Sequence, residues 1–200
     1  MDQNQLALLR EQYQDYFIID HQTYVNVKPF LAAAPDDAAF EQLIPEPFLM
    51  AGEMAQLERS MLKPLARLGD MAEELAFYLK AQAKKIDTMM RYILLQQDDA
   101  TYRYQTLSYG GSALNYLSQT ALEPGQLLEV KLFLDQSEGA VFALAAVIAC
   151  EPQQEKFLIR ATFFRIREQD REVIVRASLH QQSKQLKLKA QLRQQEGKTF

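Results

Sequence analysis

The chain has 200 residues, 48% of them hydrophobic and 24% charged, with a formal net charge of −4. That length makes one large domain or two small ones, and it buries a core without help from disulfides or metal. The acidic balance excludes a general binder of nucleic-acid polymers, which carries a basic field. One cysteine, Cys150, and two histidines, His21 and His180, exclude a disulfide framework, a thiolate zinc cluster and a histidine-rich metal centre.

The first residues, Met1-Asp2-Gln3-Asn4-Gln5, are acidic and polar, unlike the basic start of a signal peptide. The longest apolar run, Ala140 to Cys150, is far short of the roughly 20 residues that span a bilayer. We therefore expect a cytoplasmic chain with no membrane insertion.

Residues 1–47 form a mixed segment expected to pack on the domain that follows. Gln3 to Gln14 suits a short helix. Thr23 to Lys28 alternates and stops at Pro29, which suits a short strand. Ala32 to Asp37 is a connector, and Pro45 and Pro47 mark the approach to a new element.

Residues 48–97 have a helical texture. Met61, Leu65, Leu68, Ala72, Leu75, Leu79, Gln82, Ile86, Met89 and Ile93 follow one another at alternating spacings of four and three. That is an a/d heptad seam. Its flanks carry Glu73, Glu74, Lys80, Lys84, Lys85 and Asp87. At 1.5 Å per residue the seam runs over about 50 Å, more than a small barrel can cover. It predicts a coiled-coil-like region through which the chain self-associates, with Gln82 setting register at some cost in stability. A helix hairpin packed on its own domain is the alternative.

Residues 98–200 begin with β texture. Tyr102 to Leu107, Ser112 to Leu117, Gln126 to Leu134, Ala140 to Cys150 and Lys156 to Ile166 are five strands. Turn signals separate them at Tyr109-Gly110-Gly111, Glu123-Pro124-Gly125, Asp135 to Gly139, and Glu151 to Glu155. This rhythm suits a small antiparallel sandwich or barrel. Val130, Leu132 and Leu134 share the face that points to its core. Arg167 to Gln195 is a helix, acidic at its start and basic at its end, as the helix dipole favours. Val173, Ala177 and His180 are its candidate docking residues.

Catalytic patterns are scarce. There is no Walker loop, G-x-G-x-x-G, H-E-x-x-H or G-x-S-x-G motif. His21 belongs to a turn, Cys150 ends an apolar strand as a small core residue, and Asp98-Asp99 closes a helix. No base, nucleophile and orienting group are brought together, so an enzyme is not expected and no catalytic residue, cofactor or metal is assigned.

Thr106-Leu107-Ser108-Tyr109-Gly110-Gly111 follows one strand and opens another. It resembles the signature of PilZ domains, bacterial receptors for cyclic di-GMP: Asp or Asn, any residue, Ser, two residues, Gly. Ser108 and Gly111 match, and Thr106 stands at the acidic or amide position. The turn at Pro124-Gly125, the strands after it and the charged C-terminal helix are also similar to the family, from about Tyr102 onward. The long heptad helix resembles the atypical branch whose members carry extra helices and assemble as tetramers.

The resemblance implies an α+β fold, a small antiparallel PilZ-like β-barrel with a C-terminal helix and long heptad-bearing helices. It implies cyclic di-GMP as the ligand, near Arg103, Thr106, Ser108, Gly110, Gly111 and Arg91. The Arg-x-x-x-Arg segment that the family places ahead of its barrel is missing here. Arginines suit such a ligand because the guanidinium forms bidentate bonds to phosphate and guanine and also stacks. Three functions follow as expectations. One is a receptor or adaptor in cyclic di-GMP signalling that forms a homo-oligomer, dimer or tetramer, and acts on a downstream protein. The second is a structural or protein-interaction module that has lost nucleotide binding. The third, an enzyme, would require a deep polar pocket with clustered titratable groups.

Overall fold

The computed structural model describes residues 3–14, 17–54, 71–134 and 139–196. The chain divides into two compact units, Met1–Ala34 with Tyr102–Phe200, and Pro35–Thr101.

The first unit is a closed antiparallel barrel. Its strands are β1 (Ile18–Asp20), β2 (Tyr24–Pro29), β3 (Arg103–Gly110), β4 (Ala113–Ser118), β5 (Leu127–Phe133), β6 (Ala140–Gln153) and β7 (Lys156–Arg165). The order is β1-β3-β2-β5-β6-β7-β4, and a further pairing of β3 with β4 closes the ring. Six strands make the barrel. β1 and β2 follow one another along the same edge of β3, at Ser108–Gly110 and Arg103–Gln105 respectively.

Alternation sets which side chains fill the ring. Leu128, Val130 and Leu132 of β5 are buried at every second position, and Leu134 packs against the same cluster. Ile159, Ala161 and Phe163 of β7 and Tyr109, Leu114 and Tyr116 of β3 and β4 complete it. The run Ala140 to Ile148 is buried at every position. A strand is apolar throughout when both its faces are covered. Val141, Ala143, Ala145 and Val147 face the core, while Ala146 and Ile148 pack under helix α1 (Gln3–Gln12) through its Leu9.

The turn at Glu123-Pro124-Gly125 has the chemistry its sequence suggests. Gly125 takes φ of 90°, and the Gln126 amide donates to the Glu123 carbonyl at 3.0 Å. Proline pre-sets the second position of such a turn, and glycine tolerates the third. The expected break at Glu151 to Glu155 is shorter than its composition suggests. β6 continues through Pro152 to Gln153, and Gln154, at φ of 56°, makes the turn. Proline is tolerated there because β5 has already ended opposite Ala146, so no ladder bond is lost on that edge.

The C-terminal helix, α5 (Glu168–Glu196), docks through Asp170, Ile174, Ala177, Ser178 and Gln181, which fall on one helix face. Ile174 is fully buried in the barrel core, worth about 1.5–3 kcal/mol. Val173 packs at the edge of the core, and His180 is exposed. The 3.6-residue period carries the buried face from Ala177 to Gln181, leaving His180 one step round the helix. Leu186, Leu188 and Leu192 are exposed.

The second unit holds helices α2 (Asp37–Leu43), α3, described over residues 46–54, and α4 (Met71–Leu95). α2 begins at Asp37, where the connector expected over Ala32 to Asp37 ends. Its N-cap is Asp36, whose carboxylate accepts from the Ala39 amide at 2.8 Å, satisfying an otherwise orphan helix donor. Thr101 donates its amide to the Asp99 carboxylate at 2.9 Å, so the Asp98-Asp99 pair closes α4 with a turn. Met61, Leu65 and Leu68 of the heptad seam lie outside the described residues, and Ala72 falls on the first turn of α4.

α4 presents two apolar faces. Met90 and Leu94 are buried. Leu75, Leu79, Ile86, Met89 and Ile93 of the seam are exposed, Met89 by 60%, and Gln82 is half-buried. At 100° per residue the seam and the Met90–Leu94 face adjoin but do not coincide.

Candidate functional site

β3 carries both the PilZ-like motif and Arg103. Thr106 is fully buried. Its hydroxyl accepts from the Thr23 amide at 3.0 Å and donates to the His21 carbonyl at 2.8 Å. The Thr106 amide in turn donates to Thr23, and His21 donates to the Leu107 carbonyl. Gln22 is thus an extra residue where the chain steps from β1 to β2, and Thr106 clasps the step. A hydroxyl suits this place because it donates and accepts at once, whereas an ionised carboxylate only accepts. A threonine in place of an acidic residue at Thr106 thus fits both bonds.

A register shift separates Thr106 from Ser108 on β3. Ser108 is buried and accepts from Asn115 Nδ2 at 2.7 Å. Asn115 also pairs with Tyr13, donating to its hydroxyl at 2.8 Å and accepting from it at 3.1 Å. Ser112 donates to the Tyr13 carbonyl at 3.3 Å. Gly110 is required for space: a Cβ there would lie 2.1 Å from the Phe17 carbonyl oxygen, just ahead of β1. Gly111 offers its carbonyl to the Arg171 guanidinium of α5 at 2.7 Å. Behind it, Arg167 grips Asp170 in a two-pronged ion pair at 2.7 and 3.0 Å. Burial raises the Asp170 carboxyl above its ordinary value, and Arg167 opposes that rise. Burial also pushes the Tyr116 phenol up, with Tyr104 and Cys150 nearby adding to it. Both groups belong to the fold's interior.

The accessible part of β3 is its other end. Arg103 and Gln105 are exposed and line a groove of about 380 Å³ with Tyr104, Thr106 and Leu107. Gln22 and Tyr24 border it from the β1–β2 side, Leu117 and Gln119 from β4 and the turn after it, and Lys156 from β7. Arg103 and Lys156 are the charged residues of this lining, and it holds no carboxylate. The groove can hold an anion, with tyrosine rings and amide side chains beside it.

The structure thus brings Arg103 and Thr106 to one groove, while Ser108, Gly110 and Gly111 lie further along β3 in internal contacts. Arg91 is on α4, exposed, in the other unit. Gln22, Tyr24, Gln119 and Lys156 are invisible to a reading of local pattern, because three separate chain segments supply them. Among the described residues, no group of three or more His, Cys, Asp or Glu is placed to hold a metal, and no helix is long and apolar enough to cross a membrane.

No protein-family model and no curated protein matches the sequence. Solved structures do match it. A pathogenic protein from Xanthomonas campestris, a tetrameric PilZ domain self-assembled through a helical bundle, is 14% identical; the match covers 90% of this chain and 95% of that one, with a TM-score of 0.52. The Bacillus subtilis inhibitor of motility MotI/DgrA is 10% identical over 86% of this chain and 52% of that one, TM-score 0.46. The PilZ domain of Escherichia coli YcgR, solved with cyclic di-GMP, is 12% identical over 45% of this chain and 83% of that one, TM-score 0.36. A closed six-stranded antiparallel barrel with a C-terminal helix and further helices, matched along nearly its whole length by the Xanthomonas structure, gives this chain a PilZ-like fold.

Proposed function

We propose that the protein is a non-enzymatic PilZ-like signalling protein of the bacterial cytoplasm, a receptor or adaptor for cyclic di-GMP that self-associates through α4. The observation that carries the reading is the exposed seam of Leu75, Leu79, Ile86, Met89 and Ile93 in a chain with a PilZ-like barrel. Exposed apolar area of this extent marks an interaction surface. Heptad spacing suits another helix, and a second copy of the chain supplies one. The Xanthomonas tetramer, built through a helical bundle, is the precedent for a homo-oligomer, dimer or tetramer. The reaction has no chemical step. A ligand on the barrel shifts the equilibrium between arrangements of the chain, or of the chain with a downstream protein, by the difference in its affinity for each.

A second reading, an interaction module without a nucleotide, draws on the internal use of Ser108, Gly110 and Gly111. Titration calorimetry with cyclic di-GMP separates the two readings, since heat of binding at tens of micromolar protein favours the receptor and its absence favours the module. Light scattering tests the seam. We expect an oligomer for the wild type and a monomer for Leu79→Glu/Ile86→Glu; a monomeric wild type overturns self-association.

A further inference from the structure

We infer that the exposed end of α5 is a docking surface for an acidic amphipathic helix of another protein, which lays apolar side chains on Leu188 and Leu192 and carboxylates on Lys184 and Lys189. This inference depends neither on nucleotide binding nor on the α4 seam.

The face that seats α5 on the barrel runs on past the barrel. Ile174, Ser178 and Gln181 are buried. Gln185 is half-buried and donates its side-chain amide to the Asp20 carbonyl of β1 at 2.8 Å. Leu188 and Leu192 come next on this line, at the same alternating steps of three and four residues, and they are 57% and 50% exposed. At 100° per residue both fall within about 20° of the direction of Gln181. The barrel has ended by this point, and every residue from Leu186 to Arg193 is exposed. Gly, Pro and β-branched residues are missing from Leu179 to Gln195, so the segment stays helical beyond its support. An apolar strip on a projecting helix is a surface that a second helix reads.

Charge selects the partner. Between Val173 and Gln195 the sequence carries Arg176, Lys184, Lys187, Lys189 and Arg193 and no carboxylate, in a chain whose net charge is −4. With Leu188 and Leu192 at heptad positions d and a, Lys184 takes g and Lys189 the following e. These flanks choose what pairs with the strip. Lysine is their only charged residue, so a second copy of the strip meets like with like in either direction. Carboxylates at the matching positions of a different helix turn that repulsion into attraction. A flat anionic surface fits less well. Lys187 and Arg193 point about 120° away from the strip, and Leu186 about 140°. Leucines and cations therefore ring the helix, whereas a bilayer calls for one apolar and one polar face. Nucleic acid has phosphates for the lysines but nothing for the leucine strip. The strip is about 12 Å long, which suits a transient contact at the low end of interface size.

The test is fluorescence anisotropy of the full chain with a labelled synthetic four-heptad helix, Leu at a and d and Glu at e and g. The comparison probes are the same peptide with Lys at e and g, phosphatidylglycerol vesicles and duplex DNA. The proteins are the wild type, Lys184→Glu/Lys189→Glu and Leu188→Ala/Leu192→Ala, each checked by thermal melting and light scattering. We expect the wild type to bind the Glu peptide at least tenfold more tightly than the Lys peptide. Each double variant should lose at least tenfold for the Glu peptide, and the charge-reversed variant should now prefer the Lys peptide. No binding of the Glu peptide by the wild type, or equal binding by both variants, overturns the surface. Vesicles or DNA bound more tightly than the Glu peptide, and released by the charge reversal, give the surface to that class instead and overturn the helix partner. A change of oligomeric mass in the charge-reversed variant means that a second copy occupies the strip, and it overturns the inference as well.

Discussion

Arg171 of α5 reaches the carbonyl of Gly111 at 2.7 Å, tying the C-terminal helix to the turn between β3 and β4. The same guanidinium lies 3.4 Å from Glu168. Arg171 is largely buried, so its bond to Gly111 is shielded from water and charge-assisted. Arg171→Met keeps the apolar stem and removes the donor. We expect a loss of about 1.5–3 kcal/mol, read by urea denaturation, with faster amide exchange at Ser112 and Ala113. A variant as stable as wild type would show that the bond is incidental.

Gly110 has a steric role. A methyl group there would meet the Phe17 carbonyl, and backbone cannot swing aside as a flexible side chain does. Gly110→Ala should cost about 1–3 kcal/mol, or roughly 2–4 °C of melting temperature per kcal/mol in a chain of this size. β1 should detach before the barrel, so exchange at Ile18–Asp20 is the local readout.

Asn115 forms a fork between Ser108 and Tyr13. Asn115→Leu leaves both hydroxyls without it and should cost about 1–3 kcal/mol. Ser108→Ala removes one prong, while Tyr13 keeps the amide engaged, so its cost should be smaller. The double variant should cost less than the sum of the two, because both changes break the same bond. Strict additivity would refute the network.

Thr162 is fully buried, and among the described residues its hydroxyl has no hydrogen-bond partner. Its strand neighbour on β6 is Ala146, which packs beneath α1. Thr162→Val keeps the shape and removes the unsatisfied group. We expect it to be neutral or to stabilise by about 1 kcal/mol, measured by thermal melting.

Asp170 works against the usual acid loss of stability. Its folded carboxyl is raised by burial, so the unfolded chain gives up this proton at lower pH than the folded one. Its contribution is complete below the ordinary carboxyl range and falls as pH rises through the raised value. Asp170→Asn should therefore improve relative to wild type as pH is taken from 3 to 7. The slope is the readout, since loss of the Arg167 ion pair lowers the variant at neutral pH. A difference that stays flat with pH would contradict the raised value.

Several features were legible because they are local. The alternation of Leu128, Val130 and Leu132 marks a strand with one face inward, and Glu123-Pro124-Gly125 marks a turn by its backbone chemistry. The four-and-three spacing of Leu75 to Ile93 marks a helix seam. β1 was not legible, because three residues are too few to show a period. α2 was not legible, because seven residues make barely two turns, although Asp36 carries its capping signal.

Neighbouring residues alone specify the strand and helix texture and the apolar seam. Folding across the chain is what closes the barrel through β3 and β4, sets Thr106 to clasp the step between β1 and β2, and makes Gly110 leave room for Phe17. It also brings Arg103 and Lys156, 53 positions apart, to one groove. Closure and convergence join residues far apart in the chain, and no local period encodes which distant strand will lie alongside.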